Sequence, residues 1–217
     1  MNLLAKIKNA IRFRLKIREW KSRPTDPLLE YESLQVKGSM HTRLEPINQS
    51  EIKKALSFFY TNIPDKNSRI LDAGCGDGWT LDELKKAGYG RLTGIDLSDE
   101  KVKIARDHGH DARKTMLPAL PLEDASFDVV YCRHVYEHLL FPLETLRSFY
   151  RVLALGGLLF LIAPKAEISA DSGSESHMAN IRKPGDVESL IKKAGFKILK
   201  DQIHHLTDVE FWFLAKK

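Results

Sequence analysis

The ten residues RILDAGCGDG, Arg69–Gly78, decide the fold of this 217-residue chain. An apolar run ends in an acid, glycine then takes every second position, and an amphipathic helical pattern begins at Trp79. This order predicts a buried strand, a tight turn and a helix start, because glycine allows positive φ and lets a ligand approach the backbone. Asp72 and Asp77 flank the glycines. They favour a cationic or hydroxyl-rich ligand over a pyrophosphate, which binds helix-start amides that have no carboxylates nearby.

Short apolar strands alternate with amphipathic helices from Arg69 onward. Strands are predicted near 69–73, 91–96, 111–115, 127–132, 157–163, 196–202 and 209–215, and helices near 78–87, 98–108, 142–154 and 186–194. This alternation predicts right-handed βαβ units and a parallel sheet. The last two strands have only a short polar link, so we expect an antiparallel hairpin, because a parallel return needs a crossover of about a dozen residues. The expected fold class is α/β, a doubly wound seven-stranded mixed sheet with an antiparallel last strand and an N-terminal helical extension.

Charge is distributed unevenly along the chain. The formal net charge is +5, but residues 1–24 hold eight Lys and Arg against one Glu, so this segment carries +7 and the remainder −2. A nucleic-acid enzyme more often has a basic face on its folded domain, so we do not expect a nucleic-acid partner. No apolar run reaches the ~20 residues of a membrane span. The two cysteines, Cys75 and Cys132, end predicted strands, which favours a reducing cytoplasm over a disulfide.

Residues 1–49 are predicted to be a basic arm and linker, followed by a single domain over 50–217. An amphipathic helix is predicted over 1–22 because apolar residues recur there at spacings of three and four, at Leu4, Ile7, Ile11 and Leu15. Three roles are open for this arm: packing on the domain as a lid, contact with an anionic membrane surface with Trp20 at the interface, and targeting. Ser50 is the predicted N-cap of a helix that continues to about Tyr60.

Polar side chains follow two of the predicted strands. Asp96 ends the second strand about 20 residues after the glycine loop, where nucleotide sites place the acid that binds ribose hydroxyls. The alternative role of Asp96 is a helix cap before Ser98. After the fourth strand come Arg133, His134, Glu137 and His138, at the sheet edge where ligands of open parallel sheets bind. The alternative there is a solvated loop with His138 capping the next helix.

His177 lies in a long polar loop after the fifth predicted strand, on the same edge of the sheet. Loops longer than ~12 residues without regular structure are often lids or binding loops. His177 is therefore a candidate general base or substrate contact, and an exposed loop histidine is the alternative. We expect no metal site.

Four ordered motifs resemble the class I S-adenosylmethionine-dependent methyltransferases, most closely their type-11 small-molecule branch. They are ILDAGCGDG (70–78), GIDLS (94–98), LPLEDASFDVV (120–130) and RVLALGG (151–157). The resemblance runs from about Ser50 to Lys217 and implies a Rossmann-like sheet with S-adenosylmethionine as cofactor. It also implies that the methionine part is held by Asp72 and by the backbone of Gly74, Cys75 and Gly76.

The same resemblance assigns the other end of the cofactor. Asp96 is expected to bind the ribose, and adenine is expected between Leu97 and the segment 115–117, which includes Met116 and Leu117. Cys132, Arg133 and Glu137 complete the expected cofactor set. The chain departs from the family at Met116, where an acid for the adenine amino group is common.

We therefore expect a cytoplasmic enzyme, peripheral at the membrane if the arm binds there. It should methylate a small molecule or a sugar-containing precursor, with a hydroxyl as the first choice of acceptor and nitrogen or carbon open. A hydroxyl nucleophile benefits from a base, for which His134, His138 and His177 are the candidates. Two alternatives remain: an RNA- or protein-modifying methyltransferase that uses the arm as an anchor, and a non-catalytic cofactor-binding module within a complex.

Overall fold

The computed structural model describes residues 31–33, 35, 46–166, 178, 181–205 and 209–217. Its helices are α1 (Pro46–Asn62), α2 (Trp79–Lys86), α3 (Asp99–Asp107), α4 (Pro142–Val152) and α5 (Pro184–Lys193). Its strands are β1 (Arg69–Ala73), β2 (Arg91–Asp96), β3 (Asp111–Lys114), β4 (Phe127–Arg133), β5 (Leu153–Pro164), β6 (Lys197–His205) and β7 (Val209–Lys216). A 3₁₀ turn, Tyr136–His138, follows β4. The predicted arm helix over 1–22 and His177 lie outside the described residues.

The strands form one seven-stranded sheet in the order β3-β2-β1-β4-β5-β7-β6. Strands β1 to β5 pair in parallel, while β7 pairs antiparallel with both β5 and β6. The predicted α/β sheet and its terminal hairpin are confirmed. The strand order reverses between β1 and β4, and the carboxyl ends of these two strands therefore open the crevice in which ligands of such sheets bind.

The predicted starts of α1 and β5 are wrong. Ser50 is not an N-cap, because α1 already begins at Pro46; proline suits the first helical position, where a backbone N–H has no partner within the helix. The fifth strand begins at Leu153 rather than near 157, because Leu153 pairs with Phe127 before the register shifts. Helix α4 consequently ends two residues earlier than predicted.

Apolar layers cover both faces of the sheet. The face under α1 buries Phe59, Phe160 and Trp212, and the opposite face, under α4 and α5, buries residues that include Phe213. Because side chains alternate along a strand, Glu210 shares the α1 face with Trp212. Among the helices that the structure describes, none is both long enough and apolar enough to cross a membrane.

Candidate active site

The glycine loop, residues 74–78, turns from β1 into α2 beside the exit of β4. Gly74, Gly76 and Gly78 have φ values of 86°, 55° and 86°, a region that residues with a Cβ rarely adopt. A Cβ added at Gly74 would overlap the side chain of Val135, so the segment after β4 packs directly on the loop. A Cβ added at Gly76 would meet nothing within 4 Å. The loop therefore presents an open face at Gly76, where a ligand can lie against the backbone.

The amides of this loop are already bonded within the protein. The N–H groups of Gly74 and Cys75 donate to the Ile95 carbonyl at 2.8 and 2.9 Å, and the Gly76 N–H donates to Oδ2 of Asp96 at 2.9 Å. The loop therefore lacks the cluster of available amide donors that a phosphate requires. Its nearby acids make the loop suitable for a cation.

Asp72 is a buried carboxyl beside this loop. Its side chain is 2% exposed, and its Oδ2 has no hydrogen-bond partner among the described residues. Burial, and secondly the charge of Asp96, raise the pKa of Asp72 to about 8. A nearby positive charge favours the ionised form of such a group and lowers its pKa. The site thus fits a ligand that brings a cation to Asp72.

Asp96 connects the loop to the start of α3. Its Oδ1 accepts a hydrogen bond from the Ser98 N–H at 2.9 Å, in addition to the Gly76 bond. The cap of α3 is Ser98, whose hydroxyl accepts from the Lys101 N–H, so Asp96 is not the helix cap. Each carboxylate oxygen has a further lone pair. Asp96 can therefore still accept hydrogen bonds from a diol.

Leu97 and Met116 are the residues that the sequence predicts on either side of adenine, and this role stays a prediction. Both pack, half-buried, against a small apolar cluster formed by Tyr31, Leu140 and Met178. The Tyr31 hydroxyl donates to the His138 carbonyl at 2.9 Å, so a residue of the predicted linker lies over this part of the domain. Nothing in the sequence pattern around Tyr31 indicated this contact.

Leu117 is the other residue expected beside adenine, and an acid near Met116 would be the usual partner of the adenine amino group. Leu117 precedes a cis proline and packs against the main core. Asp111, the nearest acid that could replace Met116, lies at the start of β3 and pairs with Arg113. Asp111 therefore lies at the amino end of β3, whereas the ligand crevice opens at the carboxyl ends of the strands. No acid of β3 substitutes for Met116.

Glu137 and His138 lie in the 3₁₀ turn that follows β4. The Glu137 side chain is 2% exposed, and its Oε1 is 3.6 Å from Nε2 of His138. Burial raises the pKa of Glu137 to about 7, against the opposing charge of His134. The turn thus places a buried carboxyl with a raised pKa beside an imidazole, two residues after Val135, which packs on the glycine loop.

Arg133 and His134 meet acids that the sequence analysis did not select. Nε2 of His134 lies 2.5 Å from Oε1 of Glu210, and the Arg133 guanidinium is 3.2 Å from both Glu210 and Glu51. The Trp212 indole N–H donates to the other Glu210 oxygen at 2.7 Å. These five side chains, from α1, β7 and the exit of β4, are called the Glu210 network below.

The sequence contained one signal for this network. Glu210 is the single acid of the otherwise apolar strand β7, and it is 1% exposed. Charged residues are almost never fully buried unless they are paired, so an acid in a buried strand should have been selected. Burial alone would raise the pKa of Glu210; the hydrogen bond and charge of His134, with Arg133 and Trp212, instead hold it at about 2.

The two cysteines point into the protein. Cys75 lies beneath Gly94, whose added Cβ would be 2.7 Å from Sγ, and Cys132 is fully buried in the main core. Burial raises the pKa of both thiols. Their predicted role in cofactor binding is therefore restricted to backbone atoms.

A protein-family model described as a methyltransferase domain matches residues 44–201. The chain belongs to the class I S-adenosylmethionine-dependent methyltransferases. Its match spans most of the sheet, from α1 into β6. The expected cofactor of this methyltransferase, S-adenosylmethionine, is thereby confirmed.

Curated relatives of this methyltransferase are ubiquinone biosynthesis O-methyltransferases. The protein of Xanthomonas axonopodis pv. citri (strain 306) is 30% identical over 164 residues, which cover 66% of this chain and 68% of the relative. That of Bordetella bronchiseptica is 34% identical over 118 residues, 49% of this chain and 48% of the relative.

Solved structures share the fold of this methyltransferase at low identity. A protein of Pyrococcus horikoshii OT3 has a TM-score of 0.68 at 17% identity, covering 80% of this chain and 92% of that one. A S-adenosylmethionine-dependent methyltransferase from Mesorhizobium loti has a TM-score of 0.63 at 18% identity, covering 74% and 96%.

Proposed function

We propose that this methyltransferase transfers a methyl group to a hydroxyl of a small molecule or a sugar-containing precursor. The observation that supports the proposal is the packing of Val135 on Gly74 of the glycine loop, because Val135 belongs to the short segment that carries His134, Glu137 and His138. A hydroxyl must lose its proton when its oxygen is alkylated, and imidazole accepts protons near neutral pH. The O-methyltransferase relatives support the same choice of acceptor.

Residues around the glycine loop would hold the cofactor, which when bound supplies an electrophilic methyl group on a sulfonium. Ionised Asp72 would bind the ammonium, together with the backbone of the loop at Gly74, Cys75 and Gly76. Asp96 would accept hydrogen bonds from the ribose hydroxyls. These residues provide mainly alignment, since proximity and orientation can lower a barrier by up to ~7–11 kcal/mol.

The remaining predicted contacts fall into two groups. Leu97, Met116 and Leu117 would flank the adenine, with the Tyr31 cluster covering it. At the exit of β4, Cys132 would contribute backbone atoms and Glu137 its carboxyl, while Arg133 is held in place by two acids and would act through its charge. His134, His138 and His177 are the candidate bases.

Methyl transfer from labelled S-adenosylmethionine tests the proposal. Full-length protein is incubated with three acceptor pools: small molecules of a cell extract, total RNA and total protein. A fourth pool contains phenolic hydroxyl compounds of the ubiquinone-precursor class. We expect label in small molecules as an alkali-stable methyl ether, and none with the Gly76→Val variant, whose branched side chain would fill the open face of the loop.

Two results would reject this function. Label confined to RNA or protein would indicate a macromolecular methyltransferase. Cofactor binding by calorimetry without transfer to any pool would indicate a non-catalytic module.

The basic arm is proposed to bind an anionic membrane surface, while the domain over 50–217 carries the activity. The support is its charge, eight Lys and Arg against one Glu in residues 1–24, and Trp20, a residue type favoured at membrane interfaces. Co-pelleting with vesicles that contain anionic lipid should fall on deletion of residues 1–22 and on addition of salt. If the intact protein does not pellet at low salt, packing on the domain or targeting remains for the arm.

A further inference from the structure

The Glu210 network singles out one of the three candidate histidines. We infer that His134 is the general base for the acceptor hydroxyl and that Glu210 is the residue that positions it, an assignment that rests on the proposed O-methylation. The closest contact within the network is the 2.5 Å bond between Nε2 of His134 and Oε1 of Glu210.

The ionisation of Glu210 fixes the tautomer of His134. An ionised carboxylate only accepts hydrogen bonds, and Glu210 is kept ionised by its donors. Nε2 of His134 must therefore carry its proton towards Glu210. In the neutral imidazole this makes Nδ1 the nitrogen that accepts a proton. A carboxylate also orients the histidine of the Ser-His-Asp triad, but there it holds Nδ1–H and Nε2 is the base.

The backbone of His134 is held in an uncommon conformation. Its φ is +53°, a region in which a residue other than glycine is strained. Its N–H is anchored on the Ile162 carbonyl at 3.0 Å, and its neighbour Val135 packs on Gly74. The strained turn thus places His134 at the carboxyl end of β4, on the edge of the sheet at which ligands of open parallel sheets bind.

Charged and aromatic side chains surround the pair. Arg133 and Trp212 both donate hydrogen bonds to the carboxylate of Glu210, and Glu51 forms an ion pair with Arg133. The charge of His134 also acts on the nearby carboxyl of Glu137. From β6, His204 stacks on Trp212 with ring centroids 3.7 Å apart. The ionised carboxylate of Glu210 lies against the imidazole and can balance the positive charge that proton transfer creates there.

The proposed reaction moves one proton and one methyl group. The acceptor hydroxyl gives its proton to Nδ1 of His134 while its oxygen forms a bond to the methyl carbon. The carbon–sulfur bond breaks, its electron pair stays on sulfur as a thioether, and His134 later gives the proton to water. Glu210 neither gains nor loses a proton in this reaction.

Kinetics of matched variants test the pair, with the acceptor pool that receives label from the wild-type protein. His134→Asn should lower kcat by about 10²-fold and Glu210→Gln by about 10-fold or more, with S-adenosylmethionine affinity by calorimetry unchanged. His205→Asn, an exposed histidine of β6, is the control. In the His134→Asn background, Glu210→Gln should have no further effect on kcat, because a positioning residue acts only through the base.

Two additional measurements separate positioning from a structural role. The dependence of kcat on pH should differ between the wild type and His134→Asn, because the variant lacks the imidazole that takes the proton. Long-range ¹H–¹⁵N spectra of full-length protein without ligand should show His134 as the Nε2-protonated tautomer. The proposal is overturned by an Nδ1-protonated tautomer, by wild-type kcat in either variant, or by full additivity of the two substitutions. Absence of transfer to every hydroxyl pool would reject the proposed function, and the tautomer would still decide the geometry of the pair.

Discussion

Asp72 shows how a single residue couples cofactor binding to protons. Its carboxyl is buried, close to Asp96, and its pKa is raised to about 8. At neutral pH it is mostly protonated in the ligand-free protein, and a bound cation favours the ionised form. Binding of S-adenosylmethionine below that pKa should therefore expel a proton from Asp72.

This coupling gives the first prediction. Between pH ~6 and ~7.5 the affinity for S-adenosylmethionine should rise with pH, by at most about tenfold per unit for one proton. Calorimetry in buffers of different ionisation enthalpy should detect the released proton. The isosteric variant Asp72→Asn should bind more weakly and release no proton; equal proton release in both proteins would exclude Asp72 as the source.

Sequence could predict the site residues that belong to local motifs. Asp72 and Asp96 stand at fixed distances from the glycines, and Leu97 and Met116 follow strands that end at one edge of the sheet. Glu210 and Glu51 are distant in the chain from His134, and their contacts depend on the register of β7 and the position of α1. Tyr31 lies in a region without periodicity, so its contact with His138 could not be predicted.

Among the elements, the glycine loop and the segment after β4 stabilise each other. Gly74 and Gly88 both have positive φ, 86° and 93°, but only Gly74 has a neighbour, Val135, in the space of a Cβ. The two positions form a matched pair, because alanine at either position has a strained backbone, and only alanine at Gly74 also overlaps the side chain of Val135.

The second prediction compares these two glycines. Gly88→Ala should lower the free energy of unfolding by about 1 kcal/mol through backbone strain alone. Gly74→Ala should lower it by about 1–3 kcal/mol more, the typical effect of overpacking, and should weaken cofactor binding. Urea unfolding and calorimetry measure both. The double variant Gly74→Ala/Val135→Ala should recover part of the loss; equal losses at the two glycines would contradict close packing of Val135.

The element boundaries show where sequence patterns are insufficient. β5 begins at Leu153 because a neighbouring strand offers pairing, which the apolar pattern of residues 157–163 could not indicate. The helix start at Pro46 was missed because Ser50 is a good N-cap type. The parallel sheet and its antiparallel last strand, in contrast, could be predicted from alternating strands and helices and from one short hairpin link.

At the scale of the whole molecule, two buried acids give stability an opposite dependence on pH. The pKa of Glu210 is lowered to about 2, so its contribution to stability is complete above the unfolded value, ~4.3, and is lost as pH falls towards 2. The pKa of Asp72 is raised to about 8, so its ionisation progressively destabilises the ligand-free fold as pH rises from ~4 to 8.

This gives the third prediction, measured by urea unfolding across pH. The stability difference between wild type and Glu210→Gln should shrink below pH ~4.3, because protonation removes the charge that the variant lacks. As pH rises towards 8, the free energy of unfolding of Asp72→Asn should increase relative to that of the wild type. Curves that stay parallel at all pH values would show that neither carboxyl is perturbed in the folded protein.

The position of β7 also determines the order in which the molecule can be completed. β7 is the last strand along the chain but lies between β5 and β6 in the sheet. The apolar residues 158–163 of β5 pair with β7. During synthesis this edge of β5 therefore stays unpaired until β7 has been made. Such an unpaired strand is prone to aggregation. A nascent chain arrested before residue 209 should therefore bind chaperones, and the contact between His134 and Glu210 should form only when that edge has closed.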